Sequence, residues 1–311
     1  MPVVLMTVAA SPNQSTFSYR NLSCPFEWSK YSCAHQGKED LASTCNEYLN
    51  DRLMGQTASP PPTGRILIVG DSQMRQIFIG MACALQKYTE TSHVDWQPSW
   101  PCHNTKNCIS GGVHSGFDVG SIFLRGGAEI HFLPHSGSLR HDNAHIMNDM
   151  LRSIKLGRNP EISQDSALVP RAGRTLTNGD MFIYNIGIHL KSVQETQMLN
   201  VTAEFGHHLL RSGPMRPTFV YIGTPTQHFQ TQTGVYKKNS REGCQKSVQL
   251  NAALNKEAAH MVERQNVDYF VTYNDLELGH LHIGGGDCTH YCMPGVPDLV
   301  AANIIALAGR D

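Results

Sequence analysis

The chain has 311 residues and a formal net charge of −1, with 25 Lys and Arg against 26 Asp and Glu. Hydrophobic residues make up 40% and charged residues 16%, which excludes a disordered chain and allows one large core, or two small ones, without a structural metal. The near-neutral balance argues against nucleic acid or an anionic membrane surface as partner.

Nine cysteines and sixteen histidines stand out. The cysteines do not form the paired CxxC knuckles of a zinc ribbon. With the Asn-x-Ser/Thr sequons at Asn13, Asn21 and Asn200 they favour an oxidising, secretory compartment. A cytosolic protein with scattered buried thiols is the alternative. An odd count leaves one thiol unpaired within the chain, or paired outside it.

In chain order, Met1 to Ala10 is apolar but lacks a basic flank and is far too short to span a bilayer; it reads as the remnant of a signal or anchor, or as a trimmed start. Any membrane association would run through an N-terminal anchor not present in this chain. Residues 1–63 read as a small, cysteine-containing segment lying over a main domain of residues 64–311. The turn-rich Ser59-Pro60-Pro61-Pro62-Thr63-Gly64 joins the two. Arg65 to Val69 is a short apolar run bounded by glycine, as expected of a strand buried on both faces of a parallel sheet. Beyond Gly70-Asp71-Ser72, Met74, Ile77, Phe78, Met81 and Leu85 recur at helical spacing, so Ser72 lies in a strand–turn–helix unit.

Residues 92–118, rich in Trp, Pro, Gly and His, read as a long loop or flap. Further strands are expected at 129–133, 180–185, 218–222 and 267–271, and helices near 142–155, 245–265 and 298–307. Strands alternating with helices predict an α/β fold, a parallel sheet with helices on both faces.

Active residues of such a sheet gather at the carboxyl ends of its strands. Ser72 sits just past one and opens a helix whose dipole and free N–H groups favour negative charge, so it suits a nucleophile beside an oxyanion site. A plain helix cap fits the same residues. In Gly286-Asp287-Cys288-Thr289-His290-Tyr291-Cys292, Asp287 and His290 can share one face of a turn. The carboxylate then fixes the imidazole tautomer, and Nε2 is left to take a serine proton. A polar surface turn, or a metal site of His280, His282, Asp287 and His290, is the alternative. Asn185, ending a buried strand, is placed to donate an oxyanion hydrogen bond or to serve as an ordinary turn residue. His228, in Thr224-Pro225-Thr226-Gln227-His228-Phe229, lies at the end of another strand.

Gly70-Asp71-Ser72 with Arg75, and Asp287-Cys-Thr-His290-Tyr-Cys-Met-Pro-Gly-Val-Pro-Asp298, resemble the plant Trichome Birefringence-Like family, in the PC-esterase branch of the GDSL/SGNH superfamily. Cys24-Pro25-Phe26 with Cys33, Gly37-Lys38-Glu39-Asp40, and Thr224-Pro225…His228-Phe229 with Cys244 extend the resemblance from about residue 24 to 307. It implies a three-layer α/β/α SGNH-hydrolase-like fold with a small disulfide-tied N-terminal segment. It also implies polysaccharide O-acetyltransferase activity through a Ser72–His290–Asp287 triad, with Asn185 in the oxyanion hole and Arg75 on the arginine that follows the serine. The disulfides it implies are Cys24–Cys83, Cys33–Cys292 and Cys244–Cys288. Cys102–Cys108 is a further pairing suggested for the inserted loop, and Cys45 is left over. The chain departs from the family pattern where Ile188-His189-Leu190-Lys191 replaces a Trp pair, which puts His189 beside the expected cleft, and where the first cysteine block is missing.

The expected function is therefore acetyl transfer from a donor such as acetyl-CoA, a co-substrate rather than a bound cofactor, through Ser72 to a polysaccharide or glycan hydroxyl, with no metal. A carbohydrate esterase with water as acceptor, a non-catalytic glycan-binding module and a metal-dependent hydrolase are the rivals.

Overall fold

A computed structural model describes residues 4–7, 31–34, 37–53, 60–97, 119–134, 152–153, 156, 158, 175–185, 208, 215–223, 228–229, 245–246, 267–272, 281–284 and 287–309. They form a mixed α/β fold around one sheet. Its strands, in chain order, are β1 (Val4–Thr7), β2 (Ile66–Gly70), β3 (Asp95–Gln97), β4 (Val119–Phe123), β5 (Glu129–Pro134), β6 (Met181–Tyr184), β7 (Thr218–Ile222) and β10 (Tyr269–Thr272). The spatial order is β1-β10-β7-β6-β2-β5-β4-β3. The six strands from β1 to β5 in that order are parallel, whereas β4 and β3 add on antiparallel. Two ribbons stand apart from the sheet: β8 (His228–Phe229) with β9 (Gln245–Lys246), and β11 (His282–Gly284) with β12 (Asp287–Tyr291). The described helices are α1 (Glu39–Leu53), α2 (Ser72–Ala84) and α3 (Val296–Ala308).

The central strands carry apolar side chains on both faces, and both faces are buried. Ile66, Ile68, Ile130, Phe132 and Ile183 face α2 and α3 in one core. Leu67, Val69, Leu133, Phe182, Tyr184 and Phe219 alternate with them and are equally buried. Helix α2 packs against both the sheet and α3, so its side chains are buried without a break from Gln73 to Cys83. Gly80 allows the close approach of the helices, since a Cβ there would lie 3.2 Å from the Ala301 Cβ. At the amino ends of β2 and β6, the buried Asp180 carboxylate accepts from the Arg65 and Thr177 N–H groups at 2.8 Å each and pairs with the Arg65 guanidinium.

Several expectations need correction. Val4–Thr7, read as the remnant of a signal or anchor or as a trimmed start, forms an edge strand of the sheet, paired in parallel with Tyr269–Thr272. Residues 39–53 are helical. Glu39 and Asp40 occupy the favourable acidic first turn, and Cys45 and Leu49 are buried. The sheet is not wholly parallel. β3 lies within the stretch read as a loop, and β4 was not anticipated; periodicity is a weak signal for strands this short. Residues 245–246 pair with 228–229 as strands rather than opening a helix. The rest of the helix expected at 245–265 lies outside the described residues, as does most of that at 142–155. The strands expected at 129–133, 180–185, 218–222 and 267–271 and the helix at 298–307 are present within two residues at each end. Among the described residues no helix is long and apolar enough to cross a membrane.

Candidate active site

Strand β2 is flanked by β5 on one side and β6 on the other, and the chain passes from β5 back across β2 to β6. The winding direction reverses there, which opens a crevice at the carboxyl end of β2. The chain leaves β2 through Gly70, where a Cβ would meet the Met74 Cγ at 2.4 Å and the Asn185 carbonyl oxygen at 2.9 Å. Only glycine lets the strand turn this tightly into the helix. Asp71 is the N-cap of α2: its carboxylate accepts from the Gln73 N–H at 2.8 Å. With the cap supplied by Asp71, the Ser72 side chain on the first helical turn is left for another partner.

That partner is His290. Ser72 Oγ donates to His290 Nε2 at 2.7 Å, and His290 Nδ1 donates to Asp287 Oδ2 at 2.7 Å. The other Asp287 oxygen, Oδ1, accepts from the Thr289 N–H at 2.9 Å and the His290 N–H at 3.0 Å. Two residues three apart on a regular strand would point to opposite faces; this aspartate-capped turn at the start of β12 swings the carboxylate back onto its own histidine. Burial alone would push Asp287 up, but the hydrogen bond and charge of His290 and the two backbone N–H donors together hold its carboxyl down at about 2. Both imidazole nitrogens are thus engaged in one hydrogen-bonded line from carboxylate to hydroxyl, the arrangement that raises serine nucleophilicity. Ser72 and His290 remain partly exposed, so the hydroxyl is reachable.

Of the other expected site residues, Asn185 lies at the end of β6 beside Gly70, and its Nδ2 donates to the Ile222 carbonyl at 2.6 Å. One of its two amide hydrogens is therefore committed to joining β6 and β7. Arg75 is buried, with its guanidinium 4.3 Å from the centre of the Trp96 ring. His228 lies in β8, and His189 lies outside the described residues.

Three residues around the triad, Tyr31, Gln73 and Gln76, were not anticipated, and His282 was weighed only as a metal ligand. The Tyr31 ring lies 5.4 Å from that of His290. The segment carrying it is tied to the end of β12 by the Cys33–Cys292 disulfide and by the Met293 N–H donating to the Tyr31 carbonyl at 3.0 Å. Burial pushes the Tyr31 hydroxyl up, Arg75 pulls it down, and Asp287 and Asp71 push it up further, so these groups share one electrostatic neighbourhood. Gln73 and Gln76 reach from α2 to β12, and His282 stacks on Tyr291 with ring centres 4.2 Å apart. Only the glutamines carried a local signal, as buried-side neighbours of Ser72 on its own helix.

Cys83 and Cys288 are also disulfide-bonded. Their expected partners, Cys24 and Cys244, lie outside the described residues, as do Cys102 and Cys108. Cys45 is a buried free thiol, which burial and the nearby Asp298 charge push up to about 12. Among the described residues no three His, Cys, Asp or Glu side chains group so as to hold a metal ion. No protein-family model matches the chain, and no curated protein matches it.

Proposed function

We propose that the chain is a serine-dependent O-acetyltransferase with a three-layer SGNH-like fold, similar to the Trichome Birefringence-Like proteins, and that it moves acetyl to a hydroxyl of a polysaccharide or glycan. The observation that carries the proposal is the unbroken Ser72–His290–Asp287 line, 2.7 Å at each joint, at the carboxyl end of a central parallel strand. His290 Nε2 takes the Ser72 proton as Oγ attacks the acetyl carbonyl of a donor such as acetyl-CoA. The tetrahedral intermediate collapses, and His290 returns the proton to the departing donor group. In the second half His290 takes a proton from the sugar hydroxyl, whose oxygen attacks the seryl ester; the proton then passes back to Ser72. Asp287 stays ionised and balances the imidazolium formed in each half. The positive end of α2 and the Asn185 amide, at the carboxyl ends of the adjacent strands β2 and β6, are assigned to the developing oxyanion.

The disulfides at Cys33–Cys292, Cys83 and Cys288 support folding in an oxidising compartment such as the Golgi lumen or the cell exterior. A carbohydrate esterase is the second reading, favoured by the partial exposure of Ser72 and His290, which leaves water a route to the seryl ester.

The test is intact-mass spectrometry after incubation with a chromogenic acetyl ester, for the wild type and Ser72→Ala. The expected result is one acetyl adduct in the wild type and none in the variant, with turnover reduced by roughly 10³-fold or more. Adding a sugar acceptor then separates transfer, which yields acetylated sugar, from hydrolysis, which yields acetate. Turnover untouched by Ser72→Ala would overturn the proposal.

A further inference from the structure

His290 does not ride on the main sheet. It belongs to the separate β11–β12 ribbon, whereas Ser72 belongs to α2. Asp287 and His290 share one strand and need no outside help to stay paired; the Ser72–His290 joint spans two elements 218 residues apart in sequence. Something must hold it to hydrogen-bond length.

Along a strand, alternate residues direct their peptide N–H and C=O groups to opposite edges. On β12 the His290 carbonyl faces β11, where it accepts from His282 Nδ1 at 3.2 Å, and the Cys292 N–H donates to the Leu281 carbonyl at 2.9 Å. The groups of Thr289 and Tyr291, on either side of His290, face α2. Gln73 Nε2 donates to the Thr289 carbonyl at 3.0 Å. Gln76 makes a pair of bonds: its Nε2 donates to the Tyr291 carbonyl at 2.7 Å, and its Oε1 accepts from the Tyr291 N–H at 3.3 Å. Residues three apart on a helix have Cβ atoms about 5–6 Å apart, and residues two apart on a strand are about 6.6 Å apart, so the spacings match. Gln73 is 6% exposed and Gln76 0%. A buried carboxamide is costly unless bonded, so these bonds set one register of β12 against α2. A slip of one residue would carry His290 to the other face of the strand.

We infer that Gln73 and Gln76 are positioning residues that clamp the backbone on both sides of His290 and so set the Ser72–His290 joint. The inference rests on the acyl-transfer reading of Ser72 for its kinetic consequence, but the clamp can be read without turnover.

The experiment compares the wild type with Gln73→Met/Gln76→Met, which keeps side-chain length and removes every one of these bonds. With the chromogenic acetyl ester, the rate of Ser72 acylation at saturation falls at least tenfold and KM moves little. By NMR, the His290 Nδ1–H signal persists, because Asp287 rides on the same strand. The clamp itself is read from the His290 Nε2 resonance: Ser72→Ala shifts it in the otherwise wild-type protein and leaves it unmoved in the double-Met background. A Ser72→Ala shift of equal size in both backgrounds would overturn the clamp, as would acylation at the wild-type rate in the double-Met protein or loss of the Nδ1–H signal along with activity, which would mark β12 as simply unfolded. A wild-type protein that forms no Ser72 adduct sinks the acyl-transfer reading instead, and the Nε2 comparison still decides the clamp.

Discussion

Asp287 is a carboxylate that accepts from its own histidine's ring and from two backbone N–H groups. Its carboxyl is therefore lowered from 3.8 to about 2, which makes it a stabilising charge at neutral pH. A group depressed on folding contributes stability that is present above its unfolded value and lost as pH falls through its folded value. Acidification from about pH 5 to pH 2 should thus cost the wild type about 1 kcal/mol more than Asp287→Asn, a figure reduced because the side chain is 39% exposed. Urea midpoints across that range would show it. The same variant should lower turnover by about 10³–10⁴-fold, because an amide in that place favours the wrong histidine tautomer.

Helices α2 and α3 form the buried layer beneath the site, and α3 carries a charge into it. Asp298 is fully buried; one carboxylate oxygen accepts from the Gly295 N–H at 2.8 Å, and the other has no hydrogen-bond partner among the described residues. Burial pushes its carboxyl up to about 7, against the lowering by the backbone donors of Gly295 and its own residue. Here the sign is opposite to that of Asp287. A raised value contributes stability that is complete below 3.8 and lost as pH rises through about 7. Asp298→Asn should match the wild type below pH 4 and be the more stable protein above pH 7, by on the order of 4 kcal/mol. Thermal melts at the two extremes check it, and parallel curves would show that Asp298 is not the buried titrating group.

On the scale of the whole molecule, the Cys33–Cys292 disulfide joins residues 259 apart and ties the Tyr31 segment to the end of β12. Closing so long a loop removes much chain entropy from the unfolded state, so Cys33→Ser with Cys292→Ser should cost about 2–5 kcal/mol. Because the Tyr31 ring lies against His290, activity should fall further than the stability loss alone explains when assayed well below the melting temperature. An assay showing lower melting but full activity would confine the disulfide to stability.

Ser72 was legible in the sequence because its signal is local: an apolar run, a glycine that only a tight turn requires, and helical spacing beyond. Asp287 and His290 were legible for the same reason, since the turn that pairs them is built from three consecutive peptide units. The parallel strands from β2 to β7 followed from runs apolar on both faces, a pattern that needs no partner to be recognised. The edge strand at Val4–Thr7, the antiparallel β3 and β4, and the helix over 39–53 were not legible, because short or polar segments take their structure from the neighbours they pair with. Nor did any local pattern show that Tyr31 lies over His290, that Asn185 spends an amide hydrogen on Ile222, or that Gln73 and Gln76 bracket the histidine. The sequence by itself determined which groups can do chemistry; the packing of a separate ribbon onto α2 decided that they meet at 2.7 Å, because hydrogen-bond distance between elements far apart in the chain is set by burial and register, not by residue type.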